Sequence, residues 1–332
     1  MKIALTHNQQ QSVAEEEAEF YLPSTVAALT AALASGGHEV LPVEVSGPVD
    51  RLVERLNFFQ PELIFNVAEG HRGRAREAFY PALFAELRFP HTGSEAHVLL
   101  VGLDKWLTKL ALAHHGVPTP RARFATARGG QADALEGMTC PAIVKPNFEG
   151  SSKGITDDSV CQDARALRAT VDRILATYPE GVLIEEFIPG VDITVPYIEG
   201  LGDEGVLSPA RYEVRPSDRS RYNLYDYRLK NVLYEGSVDL ECPADLPPEL
   251  LSRLKVLTKI VIRALGVRDL GRVDFRLGDN GQLYFLEVNA LPFLDPTTAM
   301  AMASRAEGLD YHAMILRIVA SACQRLGIDR RS

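Results

Sequence analysis

Cysteine is scarce in this chain and scattered. The 332 residues hold four, Cys140, Cys161, Cys242 and Cys323, with no C-x-x-C pair. That spacing excludes a zinc cluster and a disulfide framework, and it fits reduced thiols in a cytoplasmic protein. Positive charge is also short. Thirty-five Lys and Arg stand against 44 Asp and Glu, for a net charge of −9, which argues against a nucleic-acid partner. No apolar run reaches membrane-spanning length, so no membrane partner is expected. The first ten residues turn polar too soon for a signal peptide and read as a first β-strand. Repeats and low-complexity tracts are missing. No G-x-G-x-x-G follows the first strand, and G-x-x-x-x-G-K-[ST] is absent, so neither a dinucleotide fingerprint nor a Walker A loop is present. What remains is ordinary for a soluble globular chain: 46% hydrophobic and 24% charged residues, with length for two or three domains.

Strand and helix signals alternate over the first 95 residues. Lys2–Thr6, Glu39–Val45 and Leu63–Val67 read as strands. Glu15–Ala34, Asp50–Phe59 and Ala75–Leu87 read as helices, the first stopped by Gly36-Gly37. The βαβαβα order predicts a parallel, doubly wound sheet. Asp104 is placed to cap a helix running to His115. Strands at Ala142–Lys145, Val182–Phe187 and Ile193–Glu199 with a helix at Asp163–Thr177 predict an α+β unit. Residues 205–245 read as sheet broken by a long polar loop. Helices at Pro248–Leu265 and Tyr311–Leu326 flank a hairpin.

That hairpin carries most of the chemistry. Runs 271–277 and 282–289 surround the turn cluster Gly278-Asp279-Asn280-Gly281. Alternation puts Arg272 with Asp274 on one face, and Glu287 with Asn289 on one face. If Leu277 pairs with Gln282, Arg272 falls opposite Glu287 and all four share a side, with Val273, Phe275, Leu286 and Val288 on the other. Two carboxylates and an amide oxygen suit a hard divalent cation such as Mg²⁺, and the arginine suits a carboxylate or phosphate. A solvated hairpin with a plain salt bridge has the same pattern.

Upstream, Lys145-Pro-Asn-Phe-Glu-Gly-Ser-Ser-Lys-Gly154 follows an apolar strand, a composition whose backbone N–H groups can converge on an anion. Glu185 and Glu186 end another strand, where a carboxylate and free backbone groups can read an adenine edge, and Asp192 can meet a ribose.

Together these segments resemble the ATP-grasp superfamily, and within it the D-alanine–D-alanine ligases. The resemblance runs over nearly the whole chain. Its tokens are Thr92-Gly-Ser94, Asp104-Lys-Trp-Leu-Thr-Lys109, Val117-Pro-Thr-Pro120, Ile143-Val-Lys-Pro146, Glu149-Gly-Ser-Ser152, Tyr225-Asp-Tyr-Arg-Leu-Lys230, Arg272-Val-Asp274 and Leu286-Glu-Val-Asn289. The resemblance implies an α/β chain of three parts: an N-terminal doubly wound domain (1–97), a central α+β part (98–183) and a C-terminal α+β part (184–332). ATP would lie between the last two. Lys105 and Lys145 would contact its phosphates, and Ser151 and Ser152 would cover them. Glu185, Glu186 and Ile188 would meet the adenine, and Asp192 the ribose. Asp274, Glu287 and Asn289 would hold two Mg²⁺ ions, or Mn²⁺. Lys230 would reach the γ-phosphate from a lid at 212–231, and Arg272 would stabilise a tetrahedral intermediate. A homodimer through the N-terminal domain is implied as well. The chemistry would be phosphorylation of a carboxylate followed by attack of an amine.

The sequence departs from the family mainly where substrate would bind. Glu16 or Glu17 stands for the family's first-loop glutamate. Glu69 replaces a histidine, and Arg72, Arg74 and Arg76 replace an acidic continuation, so the three arginines suit a carboxylate-rich substrate or are merely an exposed helix start. Asn231 replaces the tyrosine after the lid lysine. Phe293 replaces a glycine, and either narrows the acceptor pocket or turns into the core. Thr297 or Thr298 keeps the hydroxyl that would receive the second substrate's carboxylate. Three functions stay open: an amino-acid ligase whose substrates are not a simple D-alanine pair, a mycosporine-type enzyme that condenses an amino acid onto a phosphorylated ring oxygen, and an ATP sensor without catalysis.

Overall fold

The computed structural model describes residues 1–214, Tyr222 and 238–328. Lys230, Asn231 and most of the expected lid lie outside the described residues.

The first unit runs β1 (Lys2–His7), α1 (Pro23–Ser35), β2 (Glu39–Glu44), α2 (Val49–Phe59), β3 (Leu63–Val67) and α3 (Arg76–Glu86), with a parallel sheet in the order β2-β1-β3. Alternation along the strands sends side chains to two apolar layers. Ile3, Leu5, Leu63 and Phe65 pack with Val26, Leu29 and Leu33 of α1. Ala4 and Ile64 pack with Leu52 and Leu56 of α2 and Tyr80 and Phe84 of α3.

The expected helix at Glu15–Ala34 is shorter than the sequence reading. Glu15–Glu17 form a 3-10 turn, and α1 begins at Pro23. Two features set the start. The Gln10 N–H donates to the Tyr21 carbonyl at 2.9 Å, which holds residues 9–21 as a closed loop. Proline at the first helical position is pre-set for a helix start and supplies no N–H further back.

The second unit holds α4 (Ala96–Leu103) and α5 (Lys105–Ala113), then β4 (Ala122–Ala125), α6 (Gln131–Leu135), β5 (Ala142–Pro146), β6 (Val160–Cys161), α7 (Ala164–Thr177) and β7 (Val182–Glu186). Asp104 separates α4 from α5 and caps the latter, its carboxylate accepting the Leu107 N–H at 3.0 Å. Asp163 caps α7 in the same way. The strands form an antiparallel sheet, β4-β7-β5-β6. A domain boundary between 183 and 184 would cut β7, which is hydrogen-bonded in this sheet along its length.

The third unit comprises β8 (Gly190–Ile198), β9 (Ala210–Val214), β10 (Val238–Glu241), α8 (Pro248–Leu265), β11 (Leu270–Gly278), β12 (Leu283–Asn289), α9 (Ala299–Ala306) and α10 (Tyr311–Leu326). Its antiparallel sheet has the order β10-β9-β8-β11-β12. α8 ends at Gly266, whose φ of 75° a residue with a Cβ rarely adopts. α10 returns to the first unit, where Ile315, Ile318 and Val319 join the apolar layer of α1. Asp269 ties that return. Fully buried, it accepts from the Gly93 N–H (2.8 Å), the Ser321 hydroxyl (2.9 Å) and Arg325 (2.7 Å).

The hairpin register differs from the expected one. Leu277 pairs with Leu283, and Arg272 faces Asn289 while Asp274 faces Glu287. Two one-residue shifts make the difference: Leu277 takes Leu283 in place of Gln282 at the turn, and a bulge follows, since Asp274 and Phe275 are adjacent yet their partners are Glu287 and Phe285. Without the extra residue, Leu286, the turn register would set Asp274 opposite Leu286 and Arg272 opposite Val288. The bulge therefore turns the four polar residues onto one face and re-aims Leu286 into the cleft instead of the core.

Candidate functional site

A cleft of about 950 Å³ is lined by β5 and β7 of the four-stranded sheet, by β8, β11 and β12 of the five-stranded sheet, and by residues 10–22 of the first unit. Lys105, Lys145, Ser151, Ser152, Glu185, Glu186, Ile188, Asp192, Arg272, Asp274, Glu287, Asn289, Glu69, Phe293 and Thr298 all border it. Glu16 and Arg72 do not.

The polar face of the hairpin forms one wall. Arg272 donates to Asp274 from Nη2 at 2.7 Å and Nε at 3.0 Å, and Asn289 donates to the same carboxylate at 3.2 Å. Glu287 meets the Lys105 ammonium at 3.2 Å. Burial opposes ionisation of Glu287, but Lys105, Arg272 and Lys145 outweigh it and bring its pKa down to about 2. Its carboxylate is thus charged at any working pH. Among the described residues no group of three or more His, Cys, Asp or Glu is arranged to hold a metal. Two carboxylates and an amide oxygen on one face are an incomplete set, as expected for Mg²⁺, which takes one or two carboxylates and completes its shell with substrate phosphates and water. The residues present therefore fit Mg²⁺ bound together with a nucleotide.

The opposite wall is basic and closed beneath. Lys145, next to last in β5, contacts Glu185, and Lys109 meets the same carboxylate at 2.7 Å. Glu185 is 1% exposed, so its oxygens are held by two lysines and are not an open edge for a base. Burial raises its pKa, yet the lysines prevail and the net shift is downward. Lys109 pays the converse cost: burial, opposed by Glu185 and aided by Lys145, brings it down to about 8. Asp192 receives Arg276 at 2.9 Å, and Arg276 also donates to the Ile188 carbonyl at 3.0 Å.

Beyond Lys145 the chain enters its glycine-serine loop. Ser151 and Ser152 have φ of 49° and 57°, an uncommon conformation for residues with a Cβ. The loop is docked on the first unit. Lys153 pairs with Glu19 at 2.7 Å and Glu149 at 3.3 Å, and the Gly154 N–H donates to Glu15 at 3.2 Å.

Several substrate expectations need correction. Glu16 sits on an exposed turn, and Glu17 closes its own loop by accepting the Gln11 and Ser12 N–H groups, both at 2.7 Å. The glutamate that reaches the cleft is Glu19, two residues on. Arg72 and Arg74 are exposed, with Arg74 lying over Phe148. Arg76 is buried and bound to Glu19 (3.1 Å) and the Phe148 carbonyl (2.6 Å). The arginines thus offer no carboxylate-binding cluster, and that wall of the cleft is acidic. Phe293 borders the cleft and packs at a tilt against Tyr21, ring centroids 4.5 Å apart. Thr298 donates its hydroxyl to the Asp295 carbonyl, and Thr297 donates to the Asp295 carboxylate.

Sequence comparison matches residues 114–320 to the family model described as D-ala D-ala ligase C-terminus. A D-alanine–D-alanine ligase of Aromatoleum aromaticum is 35% identical over 241 residues, 73% of this chain and 72% of that protein. The chain belongs to the D-alanine–D-alanine ligase family. Its fold is ATP-grasp, and the family's members are ATP-dependent ligases that form C–N bonds. An uncharacterised protein of Sinorhizobium fredii, y4sG, is 30% identical over 90% of this chain and 87% of its own length. The solved D-alanine–D-alanine ligase of Bacillus anthracis complexed with ATP superposes with a TM-score of 0.77 at 21% identity, covering 98% of each chain, a likeness of fold. Among the described residues no helix is long and apolar enough to cross a membrane.

Residues absent from the sequence-level site are Glu19, Glu77, Lys109, Lys153 and Arg276. Lys109 lay in a quoted family token without a role. Lys153 lies in the glycine-serine loop, and for Glu19 and Arg276 the main partners come from other elements.

Proposed function

We propose that this protein is an ATP- and Mg²⁺-dependent ligase that phosphorylates a carboxylate and joins it to the amine of an amino acid, releasing ADP and phosphate. One observation carries the reading: Asp274, Glu287 and Asn289 face Lys105 and Lys145 across one cleft, so a metal wall and a phosphate wall meet. The nucleotide would lie between units best divided as 1–97, 98–188 and 189–332.

Lys105 and Lys145 would neutralise transferring phosphate, exchanging their present partners Glu287 and Glu185 in part for it. Mg²⁺, when bound, supplies charge for the β- and γ-phosphate oxygens. Arg272 has the planar fork to hold a developing oxyanion once Asp274 turns to the metal. Ser151 and Ser152 cover the phosphates and exclude water that would hydrolyse an acylphosphate. Lys230 retains its proposed γ-phosphate role. Phe293, backed by Tyr21, narrows the acceptor end, which favours substrates other than a D-alanine pair. The protein is expected to act in the cytoplasm as a homodimer.

The test is ADP release with Mg²⁺ and a panel of D- and L-amino acids and small carboxylates, with products weighed by mass spectrometry. Turnover giving a product one water lighter than its two substrates supports the reading. ATP binding with no ADP formed on any mixture would sink it.

A further inference from the structure

Arg276 borders the cleft but takes no part in the phosphate or metal roles above. It lies on β11 and is 4% exposed. A guanidinium buried this deeply needs acceptors, and its acceptors come from three separate segments. Nη1 donates to Asp192 Oδ1 at 2.9 Å, and the two residues are direct partners in the β11–β8 pair. Nε donates to the Ile188 carbonyl at 3.0 Å, in the connection between β7 and β8. Nη2 donates to the Tyr222 carbonyl at 3.4 Å. The guanidinium also lies over the Phe187 ring, 5.9 Å from its centre.

The connection holding Ile188 carries the chain from the four-stranded sheet to the five-stranded sheet. Arg276 fastens that crossing from the five-stranded side. Its effect on Asp192 is more specific. Asp192 borders the cleft with its side chain 29% exposed. Among the described residues its side chain bonds only Arg276, through one oxygen. A carboxylate accepts at both oxygens, so Oδ2 serves a donor in the cleft. Charge selects the kind of donor. The neighbouring guanidinium disfavours an ammonium and leaves a neutral hydroxyl. The same guanidinium offsets the carboxylate's repulsion of a polyanion bound at Lys105 and Lys145.

We propose that Arg276 is a positioning residue for the nucleotide. It fixes Asp192 to accept a ribose hydroxyl, and so sets a preference for ribonucleotides over deoxyribonucleotides. The proposal rests on the ligase reading for the nucleotide itself and goes beyond it in naming what orders the sugar end.

A residue that only fastens the crossing would weaken every nucleotide alike when replaced. A residue that aims Asp192 weakens those that carry the hydroxyl. The test is calorimetric binding of ADP, 2′-deoxy-ADP and 3′-deoxy-ADP with Mg²⁺ to the full-length protein, since turnover consumes none of them. Wild type should bind ADP about tenfold or more tighter than at least one deoxy analogue, as for a hydrogen bond to a charged acceptor. In Arg276→Met that ratio should fall to about threefold or less. Arg276→Lys keeps the charge without the fork and should give an intermediate ratio, and it keeps the test alive if the methionine variant folds poorly. Adding Arg276→Met to Asp192→Ala should lower the ratio no further than Asp192→Ala alone. Equal binding of all three nucleotides by wild type would overturn the proposal and leave the ligase reading standing. So would an unchanged ratio in Arg276→Met with all three weakened alike. Wild type that binds none of them would overturn both. Discrimination at the sugar without ADP formed from ATP on any mixture would sink only the ligase reading.

Discussion

Replacing Glu185 by glutamine probes the floor of the cleft without touching any group proposed to meet Mg²⁺. The carboxylate lies 2.7 Å from the Lys109 ammonium, contacts Lys145 as well, and is 1% exposed. Its removal leaves two lysines in a buried site without their directly bonded counter-charge, Glu287 being the carboxylate that still acts on them. Breaking a buried pair from one side costs about 3–5 kcal/mol. The pH dependence makes the test specific. Lys109 titrates at about 8 in the fold against its ordinary 10.5. Between those values the unfolded chain binds the extra proton, so stability rises with pH there and is lowest, for this group, below 8. For wild type the Lys109 contribution grows by about 1 kcal/mol from pH 7 to 9. In Glu185→Gln the favourable Coulomb partner is gone, the folded pKa falls further, and the gain over the same interval approaches about 3 kcal/mol. Urea unfolding at pH 7, 8 and 9 measures both numbers, and comparing variant with wild type cancels other titrating groups. A loss below about 1 kcal/mol at pH 7, or parallel pH profiles for the two proteins, would refute the reasoning.

Other consequences are checked separately. Asp274→Asn and Glu287→Gln should each lower Mg²⁺-dependent ADP release by at least about a hundredfold, and excess EDTA should abolish it in wild type. Asp269→Ala strands Arg325 and unties Gly93 and Ser321, so a loss of about 3–5 kcal/mol should appear in denaturant unfolding. Glu19→Gln removes the partner shared by Arg76 and Lys153, and limited proteolysis should then cut the 149–154 loop faster. Phe275→Ala, emptying a fully buried site against Phe285, should cost about 3–5 kcal/mol in the same unfolding assay.

Local signals in the sequence located most elements because they act over a few residues. Asp104 caps the helix it was positioned to cap, and Pro248–Leu265 and Tyr311–Leu326 match their expected bounds. The first helix was read too early because the glutamate-rich stretch 15–17 has helical propensity. What stops it, the bridge between Gln9 and Tyr21, joins residues twelve apart. The hairpin was legible in its polar residues and not in its pairing. Alternation fixes which residues on one strand share a face. A bulge is set by packing, here Phe275 and Phe285 within the same buried layer, and it carries no composition of its own.

The family was readable from residue types in order, since Lys, Gly-Ser-Ser, Arg-x-Asp and Glu-x-Asn are each ambiguous alone and together match one family. Those tokens are short-range facts, and chain order preserves them. The substrate end was not readable in this way. Arg72, Arg74 and Arg76 made that end look basic in sequence, yet only Arg76 turns inward, where Glu19 pairs with it and Glu69, Glu77 and Glu149 surround the same space. Charge in a pocket is a sum over elements that meet only in three dimensions. Tertiary structure alone therefore decided its sign.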